Sequence, residues 1–139
     1  MAMRFQDIID LALEARRIEQ NVQPVDLTGL TRTERVALLN DGFRKSPSPS
    51  TGVIVLTPGV TALGEDGVVA ILRAVIGLDD FTPENNPYGE HDFGGIEYEG
   101  ERYFWKIDAY DLDRKYGSAD PSDPAITRRV MTIMRADDY

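Results

Sequence analysis

The stretch from Phe93 to Tyr110 limits the possible folds more than any other part of the chain. Its second half alternates Tyr103, Trp105 and Ile107 with Phe104, Lys106 and Asp108, the two-residue period of a strand with two unlike faces. Glu99-Gly100-Glu101 separates it from Phe93–Tyr98, so the spacing predicts a β-hairpin with arms Phe93–Tyr98 and Arg102–Tyr110. The apolar face of such a hairpin must be covered by other elements.

Helical periodicity supplies that cover. Residues 3–20 place Phe5, Ile8, Ile9, Ala12, Ala15 and Ile18 at helical spacing, with Asp7, Asp10, Glu14, Arg17 and Glu19 elsewhere around the wheel. After a break at Pro24, Asp26 and Gly29, Thr31 and Glu34 form a capping box that opens a second helix. It carries Val36, Leu39 and Phe43 and should stop near Lys45. Residues 46–52, SPSPSTG, are a loop because proline recurs and serine competes for backbone hydrogen bonds. The unbroken run Val53–Leu56 predicts a strand buried on both faces, ended by Thr57-Pro58-Gly59. Residues 65–77 bring Val68, Ile71, Leu72, Val75 and Ile76 onto one helical stripe behind Glu65 and Asp66. Residues 79–91 and 111–126 are long irregular connections, and residues 127–135 form a last strand, with a short helix as the alternative.

The fold class is therefore α+β, with N-terminal helices packed on one face of a small, mainly antiparallel sheet of three to four strands. At 139 residues one domain spans 1–139, made of a helical extension over 1–30 and a core over 31–139. The chain has no cysteine, which removes disulfides, thiolate nucleophiles and cysteine-bound metal. No signal-peptide core or membrane span can be drawn in the N-terminal residues, so a cytoplasmic location is the expectation. Residues 1–64 hold 7 acidic and 7 basic residues, whereas residues 65–139 hold 17 and 8, so the whole net charge of −9 lies in the C-terminal half. An acidic surface repels a phosphate backbone, which argues against direct nucleic-acid binding.

From about Arg35 onward, several short blocks occur in one order. They are Leu39-Asn40-Asp41-Gly42-Phe43-Arg44, Asp79-Asp80-Phe81-Thr82-Pro83, Gly89-Glu90-His91-Asp92-Phe93-Gly94, Phe104-Trp105-Lys106-Ile107-Asp108, Tyr116-Gly117-Ser118 and Thr127–Met134. In these blocks the chain resembles the mainly alphaproteobacterial family of unknown function numbered 3768. The resemblance implies an accessory protein of plasmids and integrated mobile elements, often accompanied by anti-restriction genes. It implies no catalytic residues.

The single histidine, His91, lies between Glu90 and Asp92 and could serve as a general base or metal ligand, or simply fix a loop. Asp108, Asp111 and Asp113 are the weak metal candidates, with Asp120 and Asp123 following, although Asp before Pro also nucleates turns. Phe104, Lys106, Asp108 and Tyr110 would form an aromatic and charged platform if their side of the hairpin is open, and part of a core if both faces are covered; Trp105, in the other phase of the strand, is a further binding-surface candidate. There is no Gly-x-Gly-x-x-Gly, Walker-type loop or Gly-x-Ser-x-Gly, and no cofactor is called for. The expected function is binding of another protein through the acidic, aromatic C-terminal surface, with inhibition of a host defence system as its sharper form. The alternative is a small enzyme or ligand-binding domain using His91 and the 108–123 carboxylates, with or without a divalent cation.

Overall fold

The computed structural model describes residues 26–138; the helix expected over 3–20 lies outside them. Thr31 opens helix α1, Arg32–Lys45, with the expected capping box: Glu34 N donates to Thr31 Oγ1 at 3.1 Å and Thr31 N donates to Glu34 Oε1 at 3.0 Å. Strand β1, Gly52–Leu56, follows, then a one-turn helix α2, Pro58–Thr61, and helix α3, Gly64–Gly77. Proline at the first position of α2 loses no hydrogen bond there, so the strand-ending Thr57-Pro58-Gly59 also starts a helix. Strands β2, Phe93–Tyr98, β3, Glu101–Tyr110, and β4, Arg128–Arg135, complete the fold before a 3₁₀ turn at Ala136–Asp138. Residues 128–135 are thus strand rather than helix.

The hairpin turn is tighter than its three-residue spacing suggests. Tyr98 pairs with Glu101, leaving Glu99 and Gly100 as the two turn residues, both left-handed at φ 50° and 79°. The sheet order is β1-β4-β3-β2, with β1 parallel to β4 and the other two pairings antiparallel. The α+β architecture with a mainly antiparallel sheet is the expected one, and among the described residues the helices pack on one face of the sheet. β1 departs from its expected double burial: it pairs only with β4 at the sheet edge, and Val55 is 44% exposed.

Alternation sorts the sheet into two faces. Ile54, Ile96, Tyr103, Trp105, Ile107, Met131 and Ile133 point inward and form one cluster with Phe43 of α1, Val60 of α2 and Val68, Ile71, Leu72 and Val75 of α3. Trp105 lies between Gly94 of β2 and Ile133 of β4, and its indole fills the space a side chain at Gly94 would need. A Cβ on Gly94 would sit 2.5 Å from Trp105 Nε1.

The C-terminal turn is tied back to α2. The Asp138 carboxylate accepts from Thr57 Oγ1 at 2.6 Å, Gly59 N at 3.1 Å and Arg135 N at 3.2 Å. The Thr57 hydroxyl, ahead of the backbone donors, holds Asp138 below its ordinary value of 3.8.

Two outcomes are expected. Gly94→Ala should lower stability in urea unfolding by about 1–3 kcal/mol through overpacking against Trp105. Because the folded pKa of Asp138 is depressed, its contribution is present above 3.8 and disappears as pH falls through the folded value. Asp138→Asn should therefore flatten the acid limb of a stability-versus-pH curve measured below pH 4.

Candidate functional site at the loop end of the sheet

β2 begins at Phe93 opposite Lys106, and β3 ends at Tyr110 opposite Arg128, where β4 begins. The connections 79–92 and 111–127 therefore emerge at the same end of the sheet. Buried polar side chains lock them together. Asn40 of α1 donates through Nδ2 to the Glu90 carbonyl at 2.8 Å and accepts from Arg129 Nε at 2.7 Å; Arg129 Nη2 then donates to the Pro121 carbonyl at 2.7 Å. Asn40 and Arg129 are 3% and 4% exposed, and burial pulls Arg129 down to about 10. One relay thus fixes one point in each loop.

The first loop is ordered by its own polar groups. Thr82 N donates to Asn85 Oδ1 at 2.8 Å, and His91 N donates to Asn86 Oδ1 at 3.0 Å, which holds His91 at a left-handed φ of 52°. The His91 ring stacks on Phe81 at 3.9 Å and lies 2.8 Å through Nδ1 from Asp41 Oδ2. In the neutral tautomer that donates from Nδ1 to that carboxylate, Nε2 is an acceptor. Asp41 Oδ1 also takes Arg44 Nη2 at 3.1 Å, while Arg44 Nη1 donates to the Val75 carbonyl at 2.6 Å and the Ile76 carbonyl at 3.3 Å.

In the second loop the carboxylates serve turns. Asp111 Oδ1 accepts from Lys115 N, Asp120 Oδ1 from Ser122 N and Oγ, and Asp123 Oδ1 from Ala125 N. The Ser122 hydroxyl, then its backbone, keeps Asp120 below the usual carboxylate value. Asp113 stands on the exposed tip of this loop. Asp108 pairs with Lys106 at 3.0 Å on the outer sheet face, and Tyr110 is half-buried beside it. Among the described residues no group of three or more His, Asp or Glu could hold a metal ion, so Asp108, Asp111 and Asp113 do not converge.

Of the residues singled out from the sequence, the structure brings Glu90 and His91 onto this locked end and leaves Asp92 with its carbonyl accepting from Ile107 N at 2.8 Å. Trp105 must be removed from the surface candidates: it is 0% exposed, because it occupies the inward phase of β3. Sequence reasoning missed Asn40, Asp41, Arg44, Phe81 and Arg129. It also gave too little weight to Tyr88, Leu112 and Tyr116, which are 79%, 50% and 75% exposed on the two loops. The first group had one legible sign, since Asn40 and Arg44 fall on the same helical stripe as Val36 and Phe43.

A family model described as "Protein of unknown function (DUF3768)" matches residues 56–138. It begins at Leu56 rather than near Arg35, so the block Leu39–Arg44 lies outside it. No curated protein and no solved structure matches the chain.

Asp41→Ala should cost about 3–5 kcal/mol in urea unfolding, because it strips the carboxylate from a fully buried guanidinium. The double variant Asp41→Ala/Arg44→Met should recover part of that loss, since an apolar replacement for a buried pair removes the stranded charge. Additive losses in the double-mutant cycle would contradict this pairing.

Proposed function

We propose that this chain, which belongs to the DUF3768 family, acts by binding another protein through the two acidic loops locked together at one end of its sheet. The observation that carries the reading is the Asn40–Arg129 relay, which joins Glu90 in one loop to Pro121 in the other. Two segments that read as separate in sequence act as one preorganised surface, and preorganisation lowers the entropic cost of association.

The chemistry of that surface suits a protein partner. Residues 79–92 and 111–127 carry nine carboxylates against two cations, Arg114 and Lys115. Tyr88, Leu112 and Tyr116 stand out among them, and exposed aromatic side chains are the usual anchors of protein interfaces. The complementary partner presents apolar pockets with a basic rim, which would speed its encounter with this surface. An accessory role in a bacterial mobile element, including inhibition of a host defence protein, is the setting that we attach to this proposal.

The Asp41–His91 contact favours a second reading, in which His91 Nε2 handles a proton or a ligand. The two readings separate by mutation. Under the first, Tyr88→Ser/Leu112→Ser/Tyr116→Ser should weaken capture of a specific partner from a bacterial lysate by at least about tenfold, and wild-type capture should weaken with added salt. His91→Gln should leave capture intact. Full retention by the triple variant, with loss by His91→Gln, would transfer the function to the histidine.

A further inference from the structure

β1 stands at one edge of the sheet and, among the described residues, pairs with β4 alone. Thr51 O accepts from Arg129 N at 3.0 Å, and Thr57 N donates to Ile133 O at 3.1 Å. A parallel ladder uses every second residue of a strand, so Val53 and Val55 also turn their peptide groups toward β4. The N–H and C=O groups of Ile54 and Leu56 point away from it, and no hydrogen bond among the described residues satisfies them. Edges of this kind are ordinarily guarded by charge, proline or a bulge. The opposite edge has such a guard, because β2 carries Glu97 with its side chain 74% exposed. β1 has none: Val53–Leu56 is aliphatic throughout, Val55 is 44% exposed, and residues 46–64 contain no Asp, Glu, Lys or Arg.

We propose that a second copy of this chain pairs with β1 in antiparallel fashion, about a two-fold axis at Ile54. In that register Ile54 exchanges hydrogen bonds with its counterpart, and on each side of the axis a Leu56 N–H donates to the Gly52 carbonyl of the other copy. The Gly52 N–H is already used, donating to Ser48 O at 3.1 Å. Val53 and Val55 of the two copies then face each other as non-hydrogen-bonded pairs, the closer kind. Charge selects this contact over others. A chain of net charge −9 repels its own copy, and the repulsion is least where residues 46–64 meet. Five residues a side bury less than the roughly 1,200 Å² of a tight complex, so the dimer forms at submillimolar concentration. Its geometry bears on the loops. β1 and β4 both begin at the loop end of the sheet, and the second β1 runs the opposite way, so the two sets of acidic loops lie at opposite ends of one continuous sheet. Both remain open to partners.

Sedimentation of the purified full chain, with no partner present, provides the test. Wild type should move toward the dimer mass as its concentration rises through the submillimolar range. Val55→Lys should stay monomeric, with a urea midpoint unchanged at low concentration because that side chain is exposed. A wild type that stays monomeric, or a Val55→Lys variant that dimerises equally, would overturn the proposal. The lack of cysteine lets the register be read directly. A mixture of Val53→Cys and Val55→Cys chains should form disulfide-linked dimers under mild oxidation at least about fivefold faster than either variant alone. Equal rates in all three samples would overturn the pairing at Ile54.

Discussion

A guanidinium with no exposure to solvent sits where α1 meets the end of α3. Arg44 reaches this position from the last turn of its own helix and donates to the Val75 and Ile76 carbonyls, which lie in the final turn of α3. Cations are favoured at that end of a helix dipole. Asp41 neutralises the charge, and the rings of Trp105 and Phe81 lie 5.0 and 5.5 Å from the guanidinium carbon. Each such ring contact contributes about 0.5–2 kcal/mol, against a desolvation cost of several kcal/mol for a buried ion. The cation is acceptable only while all these partners remain in place. That condition ties α1, α3, β3 and the 79–92 loop into one arrangement, and through Asp41 it also orients His91.

The parts of the fold legible in the sequence are those set by local rules. The capping box at Thr31, the alternation of Tyr103, Trp105 and Ile107, and the stripe Val68-Ile71-Leu72-Val75 each describe a segment and its covered side without reference to the rest of the chain. The candidate site was less legible because its bonds join segments far apart in sequence. Asn40 meets Arg129 and Glu90, and Asp41 meets His91, with no periodicity linking them. A polar residue on an apolar stripe signals a buried partner without naming it. The carboxylates of residues 108–123 misled in the opposite way. Their clustering in sequence suggested ligands, whereas Asp111, Asp120 and Asp123 each close a local turn.

β1 shows how neighbours decide burial. An apolar run of four residues, Val53–Leu56, fits either a central strand or an edge strand lying against a helix layer. Only the chain order of the sheet distinguishes them, and that order depends on where β4 inserts. The region matched by the family model starts at the last residue of β1, yet Ile54 and Phe43 upstream of it are buried in the same core. Arg44, also upstream, holds the end of a helix that lies inside the matched region.

The position of β4 carries a consequence for biosynthesis. The last strand among the described residues is a central one, with β1 parallel on one side and β3 antiparallel on the other. Until it emerges from the ribosome, the nascent chain holds a β2–β3 hairpin and an isolated β1, each with an unpaired backbone edge and exposed apolar residues. Completion of this sheet therefore waits for the synthesis of β4. A chain cut short before Arg128 lacks the strand that joins its two halves, so incomplete synthesis exposes itself as sticky, protease-sensitive polypeptide.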